Sequence, residues 1–260
     1  MRTFPLSTSA PRVRDAVRHE PRRRRLTVLQ TRHVPGGLVR LTLGGEDLAG
    51  FTSLGPEDHV KLFLPGPDGP VGRDYTPSEF RPIGSSSGPE LDLDVVVHEG
   101  TGGPASDWAA GAAPGDEVEV GGPRGSRLAP TGFRNAVLVA DPSGLPALRR
   151  WIRALSGETP VRALLFGGAD AGYLDDAELA AATPQVLGAD HDLLEVLRSQ
   201  DVDDDTFVWA AGEASAIVPL RRHLKERGLP KANRSLHGYW KRGDAGFDHH
   251  APLDPADPED

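Results

Sequence analysis

The hydrophobic period changes once along this chain, and that change limits the fold more than any other feature. From about Leu26 to Val120 apolar and polar residues alternate. Val39, Leu41 and Leu43 fall on one side of an extended segment, and Arg40 and Thr42 on the other. The pattern returns with Val60, Leu62 and Leu64, with Leu91, Leu93, Val95 and Val97, and with Val118 and Val120. A period of two is that of a half-buried strand. Turn clusters separate the runs, among them Pro35-Gly36-Gly37, Gly44-Gly45, Pro65-Gly66-Pro67-Asp68-Gly69 and Pro114-Gly115-Asp116. Short strands joined by such turns predict an antiparallel barrel.

After Pro130 the pattern becomes that of strand followed by helix. Ala136 to Ala140 is continuously apolar, and Leu145, Leu148, Ile152 and Leu155 follow at helical spacing. The cycle repeats at Val161 to Phe166, and again at Phe207 to Ala211, with Ile217, Leu220 and Leu224 before Gly228 and Pro230. Between them, Gln185 to Leu187 reads as a short strand and His191 to Ser199 as a short helix. Apolar strands alternating with helices predict a parallel sheet covered on both faces. The expected organisation is therefore a two-domain β plus α/β chain. An antiparallel β-barrel covers 24–130 and an α/β domain covers 131–243, flanked by a flexible basic N-terminus over 1–23 and a disordered acidic tail over 244–260.

Composition narrows the chemistry. Among 260 residues there is no cysteine, which excludes disulfides, thiolate-held metals and a cysteine nucleophile, so redox work requires a borrowed cofactor. The net charge of −9 conceals opposed ends: residues 1–25 carry eight arginines against two acids, and residues 244–260 carry six acids with no lysine or arginine. The run Arg22 to Arg25 lacks interleaved aromatics in an acidic chain, so nucleic-acid binding is not expected. There is neither a long apolar run nor a signal-peptide pattern, so a cytoplasmic location without membrane insertion is expected. No metal site is expected either: HExxH is absent and His249-His250 falls in the tail, which argues against a metal hydrolase.

Three segments can carry redox chemistry, each with a plain structural alternative. In Arg73-Asp74-Tyr75-Thr76 an extended backbone puts Arg73 and Tyr75 on one face. A guanidinium there suits phosphate and a tyrosine ring suits a flat heterocycle; an ordinary strand with one exposed Arg is equally consistent. His98-Glu99-Gly100-Thr101-Gly102-Gly103-Pro104-Ala105-Ser106 either opens a helix whose N–H groups receive a pyrophosphate or is a hairpin loop before one helical turn. Gly238-Tyr239-Trp240-Lys241-Arg242-Gly243 either covers a flavin or ends a packed strand.

In order and context, these segments resemble the siderophore-interacting protein family. The pieces "RDYT", "HEGTGGPASDWA", "PGDEVEVGGPRGS", "LPA", "WAAGEAS", "RRHLKERG" and "GYWKRG" carry the likeness, which spans roughly residues 24 to 243. The resemblance implies a ferredoxin-reductase-like architecture, with FAD on the barrel and NAD(P)H or a ferredoxin as electron donor. It implies flavin contacts from Arg73, Tyr75 and Thr76, from His98 at a strand end, from a pyrophosphate loop of Gly103, Pro104, Ala105 and Ser106, and from Trp240. Ser143 is a further candidate, although Pro142, Ser143 and Gly144 depart from the family's usual acid, Thr or Ser, and Ala.

The implied activity is the reduction of Fe(III) in a siderophore, with flavin carrying the redox step and no catalytic side chain. A family-type basic triad for the chelate would draw on Lys61, Arg124 and either Lys241 or Arg242. The fingerprint G-x-G-x-x-G is absent, and Phe166 to Ala171 supplies no basic residue for a 2′-phosphate. A general NAD(P)H:flavin oxidoreductase and a flavin- or siderophore-binding protein without turnover share the same expectations.

Overall fold

A computed structural model of the chain describes residues 12, 14–66, 69–84, 88–97, 103–244 and 246–258. The first half contains β1 (Ala16–Arg18), β2 (Arg23–Val34), β3 (Leu38–Gly44), β4 (Val60–Leu64), β5 (Val71–Tyr75), β6 (Pro77–Arg81), β7 (Glu90–Val96), α1 (Pro104–Gly111), β8 (Glu117–Gly121) and β9 (Gly125–Arg127). Seven of these strands form one curled sheet in the order β5-β4-β8-β2-β3-β7-β6, and every neighbouring pair is antiparallel. Its two edge strands, β5 and β6, are consecutive in the chain and joined through Thr76 alone. The sheet therefore curls until its edges meet at that residue. Leu26, Leu41, Leu43, Leu62, Leu91, Leu93 and Val120 fill the interior.

The alternation sorts the faces correctly, but all seven residues of β3 are buried. Its polar face lies beneath the second half of the molecule. Arg40 donates from Nε and Nη2 to the Asp94 carboxylate at 2.6 and 2.7 Å, and Thr42 donates to Asp92 at 2.8 Å. Tyr173, from the second half, donates its hydroxyl to the same Asp94. Buried charges are tolerated when paired and hydrogen-bonded in this way.

The second half comprises β10 (Asn135–Ala140), α2 (Leu145–Leu155), β11 (Val161–Leu165), α3 (Asp176–Ala182), β12 (Gln185–Val186), α4 (Leu193–Arg198), β13 (Thr206–Glu213), α5 (Ala214–Glu226) and β14 (Arg234–Trp240). The parallel sheet has the order β12-β11-β10-β13-β14. Leu148, Trp151 and Ile152 of α2 pack with Phe207 and Trp209 on one face, while Ile217, Leu220 and Leu224 of α5 pack with Val208 and Ala210 on the other. The chain runs outward from β10 in both directions, so the strand order reverses between β10 and β13. Ligands of open α/β sheets bind outside the carboxyl ends of strands at such a point.

Two polar clusters fix one half against the other. Arg150 of α2 donates to the carbonyls of Ser53, Gly55 and Pro77 at 2.7 to 3.1 Å and to the Ser53 hydroxyl at 2.9 Å. Glu57, in the loop before β4, accepts from Arg14 at 2.5 Å and from the Trp209 indole at 3.0 Å, and His237 Nε2 lies 3.3 Å away. Burial alone would raise the pKa of Glu57, yet His237 and Arg14 hold it down at about 2.

Both ends differ from expectation. The N-terminal segment is in place from β1 onward: β1 pairs with β9, and Arg14 lies over the Trp151 ring at 4.9 Å. Arg24 is buried, donating to the carbonyls of Gly122 at 2.6 Å and Asp47 at 3.1 Å. At the other end, Asp254 is 2% exposed and accepts from Arg222 at 2.6 and 2.9 Å, and Asp257 meets Lys225 and Arg221. Composition reads the acidic tail as disordered, whereas α5 turns a basic face toward it. No helix among the described residues is long and apolar enough to cross a membrane.

Candidate functional site

A cleft of about 1260 Å³ opens where the barrel seam meets the carboxyl ends of β10 and β13. On the sheet side it is organised by Asp141, directly after β10. Oδ1 accepts from the Ser143 N–H at 2.8 Å, the Ser143 hydroxyl at 2.5 Å and the Gly144 N–H at 3.3 Å. Oδ2 accepts from the Glu213 N–H at 2.9 Å and from the Trp240 indole Nε1 at 2.7 Å. Burial raises the pKa of Asp141, and these donors oppose the rise.

Two glycines make this arrangement possible. A Cβ on Gly212, whose φ is +149°, would fall 2.6 Å from the Asp141 carboxyl carbon. A Cβ on Gly144 would lie 3.0 Å from the Ala211 carbonyl oxygen. A carboxylate thus ties the end of β14 to the turn after β10 and sets the orientation of the Trp240 ring beside the cleft. Ser143 lines the cleft, with its hydroxyl proton committed to Asp141.

On the barrel side, Arg73 and Tyr75 of β5 and Thr76 at the seam all line the cleft. Burial pushes the Tyr75 phenol up to about 12, which marks a desolvated ring position. Thr76 at the seam and Tyr239 of β14 line the same cleft, so the seam faces the sheet across it. Gly103, Ala105 and Ser106 bring the start of α1 to the same wall, whereas Pro104, at the first helical position, does not line it. His98 lies outside the described residues.

The four cations expected to meet a substrate do not converge equally. Arg242 lines the cleft, with its backbone N–H on Glu213 at 3.1 Å. Lys61, on β4 opposite Asp74 of β5, donates to that carboxylate at 2.6 Å and does not line the cleft. Arg124 and Lys241 are exposed outside the lining.

Among the lining residues that the sequence reading did not name as site residues are Asp141, Glu57 and Arg18. The signal for Asp141 was available in Asp-Pro-Ser-Gly at a strand end, a strong turn sequence. Arg18 carried none, because β1 is set by pairing with β9, far along the chain. His249 and His250 also line the cleft and approach His59, contrary to their expected place in a loose tail.

Comparison with known proteins bears on this cleft directly. The profile described as "Siderophore-interacting protein" matches residues 133–243, and that described as "Siderophore-interacting FAD-binding domain" matches 27–71 and 65–127. An Escherichia coli (strain K12) protein named "NADPH-dependent ferric-chelate reductase" is 35% identical over 260 residues, spanning 89% of this chain and 98% of that protein. The chain belongs to the siderophore-interacting protein family. A Vibrio cholerae member named as a ferric vibriobactin reductase is 25% identical over 254 residues, covering 85% of this chain and 90% of its own. The crystal structure of a siderophore utilization protein from T. fusca superposes with a TM-score of 0.80 at 36% identity, covering 92% of this chain and 100% of that one. Phthalate dioxygenase reductase, with a TM-score of 0.59 at 16% identity over 83% of this chain and 68% of its own, shares the fold. The family's ferredoxin-reductase-like architecture is thus the one observed.

The cleft fits a dinucleotide the size of FAD. Its volume exceeds the range of roughly 300–1,000 Å³ common for small-ligand pockets. Gly103 gives α1 no side-chain cap, and first-turn N–H groups have no acceptor within a helix. A Cβ on Gly103 would meet nothing within 4 Å among the described residues, so an anion has room to approach that helix end.

Proposed function

We propose that this protein is an FAD-dependent reductase of ferric siderophores, drawing electrons from NAD(P)H or a ferredoxin and releasing Fe(II) in the cytoplasm. The observation that carries the reading is the meeting, in one cleft, of Arg73, Tyr75 and Thr76 at the barrel seam with the Asp141–Trp240 pair at the sheet's switch point. Family membership supports the same assignment.

Arg73 and the start of α1 would hold the phosphates of FAD, Tyr75 would pack against its ring, and Thr76 and Ser143 would offer polar contacts. Trp240, held by Asp141, would cover the ring and exclude water. Bound FAD supplies two-electron uptake and single-electron delivery. Hard oxygen chelators hold Fe(III) far more tightly than Fe(II), so reduction itself loosens the metal. Arg242, with Lys61, Arg124 and Lys241 around it, would attract an anionic ferric catecholate despite the acidic net charge.

The test uses the purified protein as isolated. It should carry or take up stoichiometric FAD, visible in its absorption spectrum. Under anaerobic conditions its flavin should be reduced by NADPH, NADH or reduced ferredoxin and reoxidised by a ferric catecholate. Failure to take up FAD overturns the reading. Reduced flavin that ferric siderophores leave unoxidised, but that readily reduces free flavin, would place the chain among general flavin reductases.

A further inference from the structure

The C-terminal segment after β14 folds back over the barrel and sets two imidazoles beside a third. One ring nitrogen from each of His59, His249 and His250 lies within 4.8 Å of the others. The rings do not merely stack: their centroids are 4.0 Å apart for His249 and His250, 5.7 Å for His59 and His250, and 6.0 Å for His59 and His249. Asp74 sits behind them, with Oδ2 3.3 Å from His249 Nε2 and 3.6 Å from His250 Nε2, and Lys61 closes the far side at 2.6 Å.

A second observation shows that the cluster is not satisfied by its own contacts. The Nε2 atom of His249 is buried and has no hydrogen-bond partner among the described residues. A buried polar nitrogen left so costs about 1–3 kcal/mol unless something accepts or donates there. The turn that delivers it is built, because Asp248 accepts the backbone N–H of His250 at 2.9 Å through its carboxylate and that of Ala251 at 3.1 Å through its carbonyl. Neutral imidazole is the form that ligates metal.

We propose that His59, His249 and His250, backed by Asp74, form a binding site for one divalent first-row transition ion. Imidazole nitrogens suit Fe(II), Zn(II), Co(II) and Ni(II), whereas Fe(III) favours hard oxygen donors. Tetrahedral coordination at about 2.0–2.1 Å places ligand nitrogens about 3.4 Å apart, which small ring rotations achieve from the present spacing. Asp74, whose Oδ2 faces the Nε2 atoms of His249 and His250, supplies negative charge beside the ion. All four residues line the cleft, so remaining coordination positions are open to water or a small ligand.

The ion the site would meet in service is Fe(II) leaving a reduced chelate, an assignment that rests on the function proposed above. The site then takes Fe(II) but not Fe(III), which favours release over rebinding.

Metal binding is measured on the full chain without turnover. Zn(II) is titrated against a chromophoric chelator, and Fe(II), supplied as the free ion under anaerobic conditions, is followed by equilibrium dialysis. Expected is one ion per chain at pH 7, weakened by more than about tenfold in His249→Ala and in His250→Ala. His250 is exposed, so its variant keeps the test valid if substitution at His59 disturbs β4. Binding that is absent, or unchanged in the double variant of His249 and His250, overturns the site. Zn(II) bound at one per chain without Fe(II) retention overturns the ferrous assignment. Neither readout depends on flavin reduction, so failure here is distinct from failure of the reductase reading.

Discussion

Substituting Asp141→Asn alters a single atom type at the centre of the cleft, and the consequence follows from hydrogen-bond counting. The carboxylate accepts from three groups at Oδ1 and from two at Oδ2. An amide offers one oxygen and one donating nitrogen. With its oxygen toward Ser143, the Asn amide nitrogen faces the Glu213 N–H and the Trp240 indole; flipped, it faces the three groups at the turn. At least two hydrogen bonds are therefore lost, each leaving a donor unsatisfied at about 1–3 kcal/mol. Removal of a desolvated charge returns part of this, so a net destabilisation of about 2–4 kcal/mol is expected. Urea unfolding followed by tryptophan fluorescence measures it. Freed from Asp141, the Trp240 ring should also release flavin more readily, with dialysis showing a Kd raised at least about tenfold, or about 1.4 kcal/mol. Unchanged stability together with unchanged flavin affinity would refute the role given to Asp141.

Three further outcomes are expected. Because the folded-state pKa of Glu57 lies near 2, below the ordinary value of 4.5, its ionisation stabilises the fold above about pH 4.5, and that stability drains away as pH falls toward 2. The stability gap between the native protein and Glu57→Gln should be about 3 kcal/mol at pH 7 and roughly half that at pH 3; a pH-independent gap in denaturation midpoints would contradict the pairing. Gly212→Ala should displace the Asp141 carboxylate and lower flavin affinity as Asp141→Asn does, measured by the same dialysis, since its Cβ has no room at a φ of +149°. Replacing Lys61 and Arg124 together by Ala should weaken the use of an anionic ferric catecholate more than that of a neutral ferric hydroxamate, and salt should shrink the difference; equal losses in anaerobic rate assays would remove the electrostatic role.

Much of the site was readable because its chemistry is local in the chain. Arg73 and Tyr75 sit at alternate positions of one strand with Thr76 directly after it, and Gly103 to Ser106 form a glycine-then-helix start, so residue type and spacing suffice to nominate them. What could not be read is why they meet. The seam at Thr76 exists because β5 and β6 are opposite edges of one curled sheet, a fact about strand order that hydrophobic period does not encode. Lys61 looked like an accessible cation, yet the cross-strand register of β4 and β5 places it opposite Asp74.

The terminal segments show the same limit from the other side. Acid content and proline predicted a loose tail, but whether a charged segment docks depends on what faces it, and Arg221, Arg222 and Lys225 are gathered by one turn and a half of α5 only once that helix forms.

From period, turn residues and motif order alone, the chain determined its two sheets, their strand types and its family, and nominated Arg73, Tyr75 and Thr76 for the cleft wall, because each depends on neighbours a few positions apart. Tertiary structure alone decided the covering of β3, the anchoring of both ends, the five-donor role of Asp141 and the approach of His249 and His250 to His59. Those depend on contacts across about 30 to 190 residues, whose free energy is set by which groups are desolvated together.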